Sequence, residues 1–545
     1  MERNDAAGVR ATGYRNAMIV AFALCALLTL GGLLAPPTLS HDAAWGMREW
    51  QTYRSGGPID NVTAPDPTDI ARDRTNLITW WSPGQYLIPG ALTLLGLRLG
   101  TALSVTSGLS LLGCLLGWIC VARYFGLGPR TATLLVLFIA TFRYSTLPFG
   151  IYNGGEILLQ GLTPWLMLAA CRIPLTSAVR AGALAFVVVL LAFFAKLTGL
   201  MVVSIALLAG GVEVLIRLRR ITIGMVAGAV GAALAFGALY IIWFSHGSTP
   251  ASGTGFAFRV TDVLFAFGVP WLAGTSWTDM LTSLSLNSRG PVWFGGSGIL
   301  SLVLWLLLPG MVLFSTVLLK GWKQRSENDN LTRLLTISAC FYLVYAFSMS
   351  AIFLRGGDVS LEERHLRAPG MLILLCVFAA AERLPLKSAG RLGVGGLCVL
   401  MSLYGCAAFL YHAKSMKRAA IDGYSRTYQP FVDESAIEFM RGAFARDGRG
   451  TVFVLPSPEA ASALPPRARV IANHIEFEQE ETIAARSYQG KARGRLYVVV
   501  PTHLVDKIKL SLLLKEFRDY PADGWQRQSF GSSTMFTQEG TGVSN

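Results

Sequence analysis

The sequence predicts a polytopic α-helical membrane protein with a small α/β domain at its C-terminus. Hydrophobic residues make up 52% of the 545 residues, charged residues only 15%, and the mean hydropathy is +0.48. Apolar runs of about twenty residues, long enough to cross a bilayer core of roughly 30 Å, recur between Met18 and Tyr411. After Tyr411 the apolar runs become short and alternate with polar segments.

The positive charges predict how the chain is oriented in the membrane. The formal net charge is +14, but most Lys and Arg residues lie at the ends of apolar runs, so we interpret them as topology signals and expect no nucleic-acid partner. This places residues 1–16 in the cytoplasm and a transmembrane domain over residues 17–412. The eight cysteines lie mostly inside apolar runs without a C-x-x-C pair, which favours small apolar residues over disulfides or metal ligands.

The alternation of apolar runs and basic clusters predicts about eleven spans. The first is interpreted as a signal anchor, because the A-P-P-T-L-S-H that follows it has no A-x-A cleavage site. The predicted spans with defined bounds cover approximately residues 17–35, 101–124, 132–147, 181–196, 223–244 and 334–354. A helix over residues 83–99, interrupted at Pro89 and Gly90, is expected in the outer interface, with Trp80, Trp81 and Tyr86 at headgroup level.

Two long polar segments are expected on the outer side. The first, residues 36–100, is the longest polar insertion and carries Asp42, Glu49, Asp60, Asp66, Asp69 and Asp73. The acids from Asp60 to Asp73 lie among Pro, Thr and Asn and are interpreted as solvated loop charges. The second, residues 245–296, contains the semi-apolar VLFAFGVPWLAG, predicted to be re-entrant or interfacial.

Residues 413–545 are predicted to form the α/β domain, on the outer side. Residues 435–446 and 504–517 have helical periodicity, whereas TVFVLP, RVIAN and LYVVVP are short β-branched runs. No glycine-rich phosphate loop opens these helices, so we assign the domain no catalysis.

Asp42 is the first candidate for chemistry, because it follows span one closely and lies near the membrane plane. A carboxylate there could act as a general base toward a hydroxyl group. The alternative is that Asp42 is the N-cap of a helix formed by HDAAWGMREW.

Glu156 is the second candidate, at the outer end of span four. A carboxylate at the edge of an apolar span is costly to bury without a partner, and the neighbouring Gly154 and Gly155 would let backbone approach a ligand. The alternative is an exposed charge that the helix macrodipole favours.

Basic residues occur on the same predicted side. Lys196 interrupts the apolar FFAKLTGL, and either binds a phosphate or extends to the headgroups. Arg355, Arg364, His365 and Arg367 form a second basic group, which either binds a phosphate or forms local salt bridges with Asp358, Glu362 and Glu363.

This layout resembles the GT-C glycosyltransferases, in particular the protein mannosyltransferase-like and aminoarabinose transferase-like members of glycosyltransferase family 39. The resemblance covers about residues 17–412 and is carried by an acidic residue opening the first outer loop, by WWSPGQYLIPGAL, by FFAKLTGL and by EERHLRAPGMLILL. It implies that Asp42 is the catalytic base, that Glu156 is the acid of the second loop, and that Lys196 and Arg364 hold a lipid phosphate.

The leading hypothesis is therefore an inverting transfer of a sugar from a polyprenyl-phosphate donor to a lipid, glycan or protein acceptor, at the outer face of the plasma (inner) membrane. His365, Arg367, Tyr86 and Trp81 are further substrate-binding candidates. No cofactor is expected to be required, and a divalent cation is left open because no metal-ligand spacing supports one. The alternatives are a transporter or flippase of lipid-linked saccharides, and a non-catalytic membrane scaffold.

Overall fold

The computed structural model shows a bundle of long helices that carries a polar α/β region on one face. It describes residues 2–79, 81–247, 255–284, 297–324, 330–356, 359, 361–421, 424–425, 432–472, 488–505, 516–521 and 523–541. The predictions made for Trp80 and Asp358, and most of the helix predicted at residues 504–517, lie outside the described residues.

Seventeen helices precede the C-terminal domain in the described part of the chain. They are α1 Glu2–Leu34, α2 His41–Arg54, α3 Gly84–Leu94, α4 Leu99–Tyr124, α5 Pro129–Thr141, α6 Arg143–Thr146, α7 Gly155–Arg172, α8 Ala178–Ala195, α9 Gly199–Leu218, α10 Ile223–Leu239, α11 Val260–Gly268, α12 Pro270–Ala273, α13 Trp277–Leu284, α14 Ser297–Lys323, α15 Asn330–Leu354, α16 Arg367–Ala381 and α17 Ala389–Ala419.

The predicted polytopic membrane fold is confirmed. Within the described ranges, nine helical segments are long and apolar enough to span a membrane, and the bent pair α5–α6 would add a tenth. The 27-residue helix α14 lies where the eighth span is predicted. VLFAFGVPWLAG forms the short helices α11 and α12, whose buried Phe265 and Leu272 belong to the main apolar core.

Two helices differ from their predictions. Span three is not continuous, because Phe142 has an extended backbone and its carbonyl accepts hydrogen bonds from the N–H groups of Ser145 and Thr146, which starts a new helix at 61° to α5. Helix α3 runs through Pro89 without a break and ends before Gly96, whose φ of +88° suits a glycine that terminates a helix.

The C-terminal domain contains a five-stranded mixed sheet packed against helix α18 (Glu434–Asp447). The strands are β7 Val452–Leu455, β8 Arg469–Ala472, β9 Leu496–Pro501, β10 Gln526–Phe530 and β11 Ser533–Gln538, in the order β10-β11-β9-β7-β8. The predicted strands at β7, β8 and β9 and the predicted helix at α18 are confirmed. The hairpin β10–β11 was missed, because the side chains of β10 are polar and exposed and lack an apolar alternation.

A second, small sheet joins distant parts of the chain beside the membrane bundle. Its order is β4-β1-β6-β5, with β1 Thr38–Leu39, β4 Ile151–Tyr152, β5 Ala420–Ile421 and β6 Tyr424–Ser425. Strands β1 and β4 are parallel, and the Ser40 N–H donates to the Tyr152 carbonyl at 2.9 Å. Because α2 and α7 each begin just after these strands, their N-termini are held side by side.

The first polar insertion packs on the C-terminal domain through the hairpin of β2 Asn61–Asp66 and β3 Asp69–Leu77. Arg469, at the start of β8, binds the Asp73 carboxylate at 2.8 Å and the carbonyl groups of Ile70 and Arg72. The insertion and the domain therefore lie on the same face of the bundle.

The interpretation of Asp60 as a solvated loop charge is wrong. Only 5% of Asp60 is exposed, it has a φ of +60°, and burial raises the pKa of its carboxyl to about 7. The carboxyl group of Glu49 is also buried, and burial together with the Asp60 charge raises the pKa of Glu49 well above its ordinary value.

We expect Asp60→Asn to stabilise the protein increasingly as the pH rises. The folded-state pKa of Asp60 is raised, so its protonated form favours folding below pH 4, and this contribution is lost as the pH rises to 7. Asparagine cannot ionise and tolerates a positive φ. Relative to wild type, the gain should be on the order of 1–3 kcal/mol at pH 8 and smaller at pH 4.

Thermal unfolding in detergent at both pH values measures this difference. Asp523→Asn, an exposed acid of the C-terminal domain, is the control. A gain that is equal at the two pH values would show that ionisation of Asp60 does not limit stability.

Helix α10 packs closely against α8 at one of its glycines, Gly231, and has open space at another, Gly237. A Cβ atom at Gly231 would lie 2.1 Å from the Gly182 carbonyl oxygen, whereas one at Gly237 would have no heavy atom within 4 Å. We expect Gly231→Ala to cost about 1–3 kcal/mol through overpacking, and Gly237→Ala to be neutral or slightly stabilising. Unfolding temperatures of the two variants measure the difference, and equal values would contradict the packing seen here.

Candidate functional site

Four distant segments meet where the bundle contacts the polar region. They are the first turn of α2, the first turn of α7, the residue that ends α8, and the 3₁₀ turn Glu363–Leu366 that precedes α16. These segments carry the Asp42, Glu156, Lys196 and Arg364 side chains, which form one connected network of ion pairs.

Asp42 is not the N-cap of α2, so that alternative is wrong. Ser40 is the N-cap, and its hydroxyl accepts a hydrogen bond from the Ala43 N–H. The Asp42 carboxylate lies in the first turn instead and is 3.1 Å from Nη1 of Arg364. Its side chain is 43% exposed, so a ligand can reach it.

Glu156 is buried, so the interpretation as an exposed helix-terminal charge is also wrong. Its side chain is only 7% exposed, it pairs with the Lys196 ammonium group, and it lies 3.6 Å from Nη1 of Arg364. Gly154 has a φ of +63°, and a Cβ atom on Gly155 would lie 2.5 Å from the Ala195 carbonyl oxygen. Gly155 thus brings the start of α7 against the end of α8 and places Glu156 beside Lys196, whereas Gly154 lies against Gln85 of α3.

The two cations have different environments. Lys196 lies at the C-terminal end of α8, and its side chain, 20% exposed, is directed to Glu156 rather than to the headgroups. Burial lowers the pKa of the Lys196 amine, and the Glu156 carboxylate opposes this shift. Arg364 contacts three carboxylates, those of Asp42, Glu156 and, at 2.6 Å, its neighbour Glu362. The local salt bridge considered for Arg364 is therefore present with Glu362, and long-range ion pairs with Asp42 and Glu156 accompany it.

A small cavity of about 40 Å³ lies beside this network. Glu156, Arg364, His365 and Arg367 line it, together with apolar, aromatic and uncharged polar residues of α4, α6, α7, α9, α15 and α16 and of the turn before α9. Both ring nitrogens of His365 and the Nε atom of Arg367 are buried without a hydrogen-bond partner in the described part of the protein. Buried polar atoms are usually satisfied, so this arrangement is suited to a polar ligand or to ordered water.

Trp81 and Tyr86 lie away from this cavity. Trp81 stacks on Trp45 of α2, with ring centroids 6.2 Å apart. Tyr86 is fully buried in an apolar cluster that contains Trp50 and Tyr152, so its predicted position at headgroup level is wrong. Tyr86 is buried because it lies on the face of α3 that packs against α2 and α4.

A neighbouring polar cluster was missed by the sequence analysis. Arg143 of α6 binds the Asp279 carboxylate at 2.5 Å, and the Asp279 N–H donates to the buried Glu363 carboxylate at 2.7 Å. The Arg367 guanidinium lies over the ring of Tyr144, 5.3 Å from its centroid. The sequence could have indicated Arg143 as it indicated Lys196, because each is a cation at the outer end of a predicted span, where the positive-inside rule does not expect one.

The described residues contain no group of three or more His, Cys, Asp or Glu side chains arranged to hold a metal ion. The carboxylates of the site are instead neutralised by Lys196 and Arg364.

Comparison with known proteins finds similarity at the level of architecture. No protein-family model and no curated protein matches the sequence. The structure is similar to that of ArnT from Cupriavidus metallidurans, both in the apo state and bound to undecaprenyl phosphate, with 12% identity, a TM-score of 0.49 and 98% of both chains covered. It is also similar to the arabinofuranosyltransferase AftD from Mycobacteria, with 15% identity, a TM-score of 0.46 and coverage of 96% of this chain and 40% of that chain.

We expect Glu156→Gln to destabilise the protein, because it leaves Lys196 and Arg364 without their buried anion. Removing one partner of a buried ion pair costs about 3 kcal/mol. The double variant Glu156→Gln, Lys196→Met removes the uncompensated cation as well and should recover part of this loss. Denaturant unfolding of wild type, Glu156→Gln, Lys196→Met and the double variant gives the coupling free energy. A double variant that is less stable than Glu156→Gln would contradict the pairing.

Proposed function

We propose that the protein is a membrane glycosyltransferase of the GT-C type, which transfers a sugar from a polyprenyl-phosphate donor to an acceptor hydroxyl group of a lipid, glycan or protein. One observation carries the proposal. Two cations, Lys196 and Arg364, form a network of ion pairs with one accessible carboxylate, Asp42, and one buried carboxylate, Glu156. Glu156 and Arg364 of this network also line a small cavity of the bundle.

The cations suit the phosphate of the donor. When the bond between the anomeric carbon and the phosphate oxygen breaks, its electron pair remains on the phosphate. Lys196 offers a compact charge and Arg364 a planar fork, and both stabilise the charge that develops on this leaving group. His365 and Arg367 supply further donors to the same cavity.

The two carboxylates have different roles. Asp42, being accessible, takes the proton from the acceptor hydroxyl, whose oxygen attacks the anomeric carbon from the side opposite the phosphate and inverts it. Glu156 is buried against both cations and therefore positions them. It is a positioning residue rather than the base.

Donor binding and base activation are coupled in this arrangement. The cavity of about 40 Å³ is too small for a sugar, so donor binding requires the ion pairs to rearrange. A donor phosphate would replace the Asp42 carboxylate as a partner of Arg364. Asp42 would then be released to accept the proton from the acceptor.

The proposal includes an orientation. The N-terminus lies in the cytoplasm, and the site and the C-terminal domain lie on the outer face of the plasma (inner) membrane. The basic ends of the spans support this arrangement, because Arg123, Arg130, Arg172 and Arg217 fall on the opposite side from Asp42 by the alternation of the spans.

We expect Asp42→Asn to reduce transfer by a factor of roughly 10² or more, because the amide cannot accept the proton. Folding and binding of polyprenyl phosphate should be retained. Transfer of radiolabel from a panel of polyprenyl-phosphate sugars to membrane acceptors measures activity, and binding of radiolabelled polyprenyl phosphate measures the donor site.

Asp66→Asn is the matched control, because Asp66 is in the same polar insertion but lies in the exposed hairpin. Near-normal transfer by Asp42→Asn would remove Asp42 from the mechanism. Binding of polyprenyl phosphate by wild type with no transfer from any donor would favour the non-catalytic scaffold.

A further inference from the structure

A large cleft separates the first polar insertion from the C-terminal domain. Its volume is about 980 Å³. One side is formed by the C-terminal half of α2 and the β2–β3 hairpin. The other side is formed by the loops that precede β7, β8 and β9, which end at the same edge of the sheet because these three strands are parallel.

The lining of the cleft is strongly basic. Seven arginines and only three carboxylates line it, an excess of four positive charges. The arginines are Arg48, Arg72, Arg449, Arg467, Arg469, Arg493 and Arg495, and the acids are Asp73, Asp447 and Glu539. We refer to this region as the arginine cleft.

All three carboxylates of the arginine cleft have partners. Asp73 binds Arg469 at 2.8 Å, Glu539 binds Arg495 at 2.9 Å, and Asp447 accepts a hydrogen bond from the Tyr497 hydroxyl at 3.0 Å. Asp73 and Glu539 therefore neutralise one arginine each, whereas the partner of Asp447 is a tyrosine.

In the described part of the chain, three arginines of the arginine cleft are not paired with a carboxylate. Within the described ranges, Arg449, Arg467 and Arg493 have no carboxylate within ion-pair distance, and all three are exposed. They come from three different loops, those before β7, β8 and β9 respectively. Guanidinium groups that converge from separate loops present several bidentate forks, which match phosphate and carboxylate oxygens.

The remaining lining residues narrow the class of ligand. Among the residues that line the cleft none is aromatic, so it offers no platform for stacking nucleobases. The loops contain Gly448, Gly450 and Gly494, so backbone as well as side chains can approach a ligand closely. Recognition in this cleft therefore depends on charge and hydrogen bonding.

The position of the cleft relates it to the ion-pair site. Asp42 lies in the first turn of α2, and Arg48, Thr52 and Ser55 of the cleft lie farther along the same helix or at its end. At a rise of 1.5 Å per residue, they are about 9 to 20 Å from Asp42 along the helix axis. An extended molecule could occupy the cleft while one of its hydroxyl groups reaches the Asp42 carboxylate.

We propose that the arginine cleft binds an anionic saccharide, whose sugars carry phosphate or carboxylate groups, and that this saccharide is part of the acceptor. The second half of the proposal rests on the proposed glycosyl transfer. The choice of a saccharide also rests on it, whereas the binding of a molecule with several anionic groups does not.

The test is a binding experiment with full-length protein in lipid nanodiscs, without donor. A fluorescently labelled oligogalacturonate, with one carboxylate per sugar, is compared with a neutral galacto-oligosaccharide of the same length. We expect wild type to bind the acidic oligomer roughly tenfold more tightly than the neutral one, and salt to weaken this binding.

The variant Arg449→Gln, Arg467→Gln, Arg493→Gln should lose roughly tenfold in affinity for the acidic oligomer. The matched control is Arg446→Gln, Arg518→Gln, Arg527→Gln, which removes three exposed arginines of the same domain outside the cleft and should bind as wild type does. Replacing the three cleft arginines by lysine keeps the charge and should retain part of the affinity, which separates a lost contact from a folding defect.

Equal affinity for the neutral oligomer, or equal loss in both triple variants, would overturn the proposal. Tighter binding of inorganic tripolyphosphate or of a single-stranded oligonucleotide than of the acidic saccharide would overturn the assignment of a saccharide. Arginine-dependent binding of the acidic oligomer without any transfer activity would retain the cleft and reject the proposed transfer. Transfer with an unchanged acceptor KM in the cleft variant would reject the acceptor role alone.

Discussion

The organisation of the site depends on the ion pairs that the buried Glu156 carboxylate forms with Lys196 and Arg364. A carboxylate that is 7% exposed at the end of a membrane bundle is stable only if cations approach it closely. Lys196 and Arg364 provide them from positions 40 and 208 residues farther along the chain. The ends of α7 and α8 and the turn before α16 are thereby held at one point.

Backbone contacts prepare this meeting before any charge is involved. The parallel pairing of β1 with β4 fixes the start of α2 beside the start of α7, and Gly155 allows α7 to approach the end of α8. The ion pairs then select the orientation of side chains that are already close together. The two cations of the site are thereby held in place, and their partners are carboxylates of the protein.

The first polar insertion connects the ion-pair site to the C-terminal domain. Helix α2 carries Asp42 at one end and residues of the arginine cleft at the other. Glu49 of α2 and Asp60, which follows α2, are both buried in the insertion. Arg469 of the domain binds the β2–β3 hairpin through one carboxylate and two carbonyl groups. Movement of the domain would therefore move α2, and with it the carboxylate that we propose as the base.

The sequence by itself determined the membrane class, the positions of most spans, and the strands β7, β8 and β9, because length, hydropathy and β-branched runs are local properties. It also singled out Asp42, Glu156 and Lys196 from their positions at the ends of spans, and Arg364 from the resemblance to the GT-C glycosyltransferases. Only the tertiary structure decided which of these residues touch, that Asp60 is buried and that Tyr86 belongs to a core. The same holds for the arginine cleft, whose arginines are dispersed over five segments of the chain. Contacts between segments hundreds of residues apart leave no periodic signal in the sequence, so they become visible only when the chain is folded.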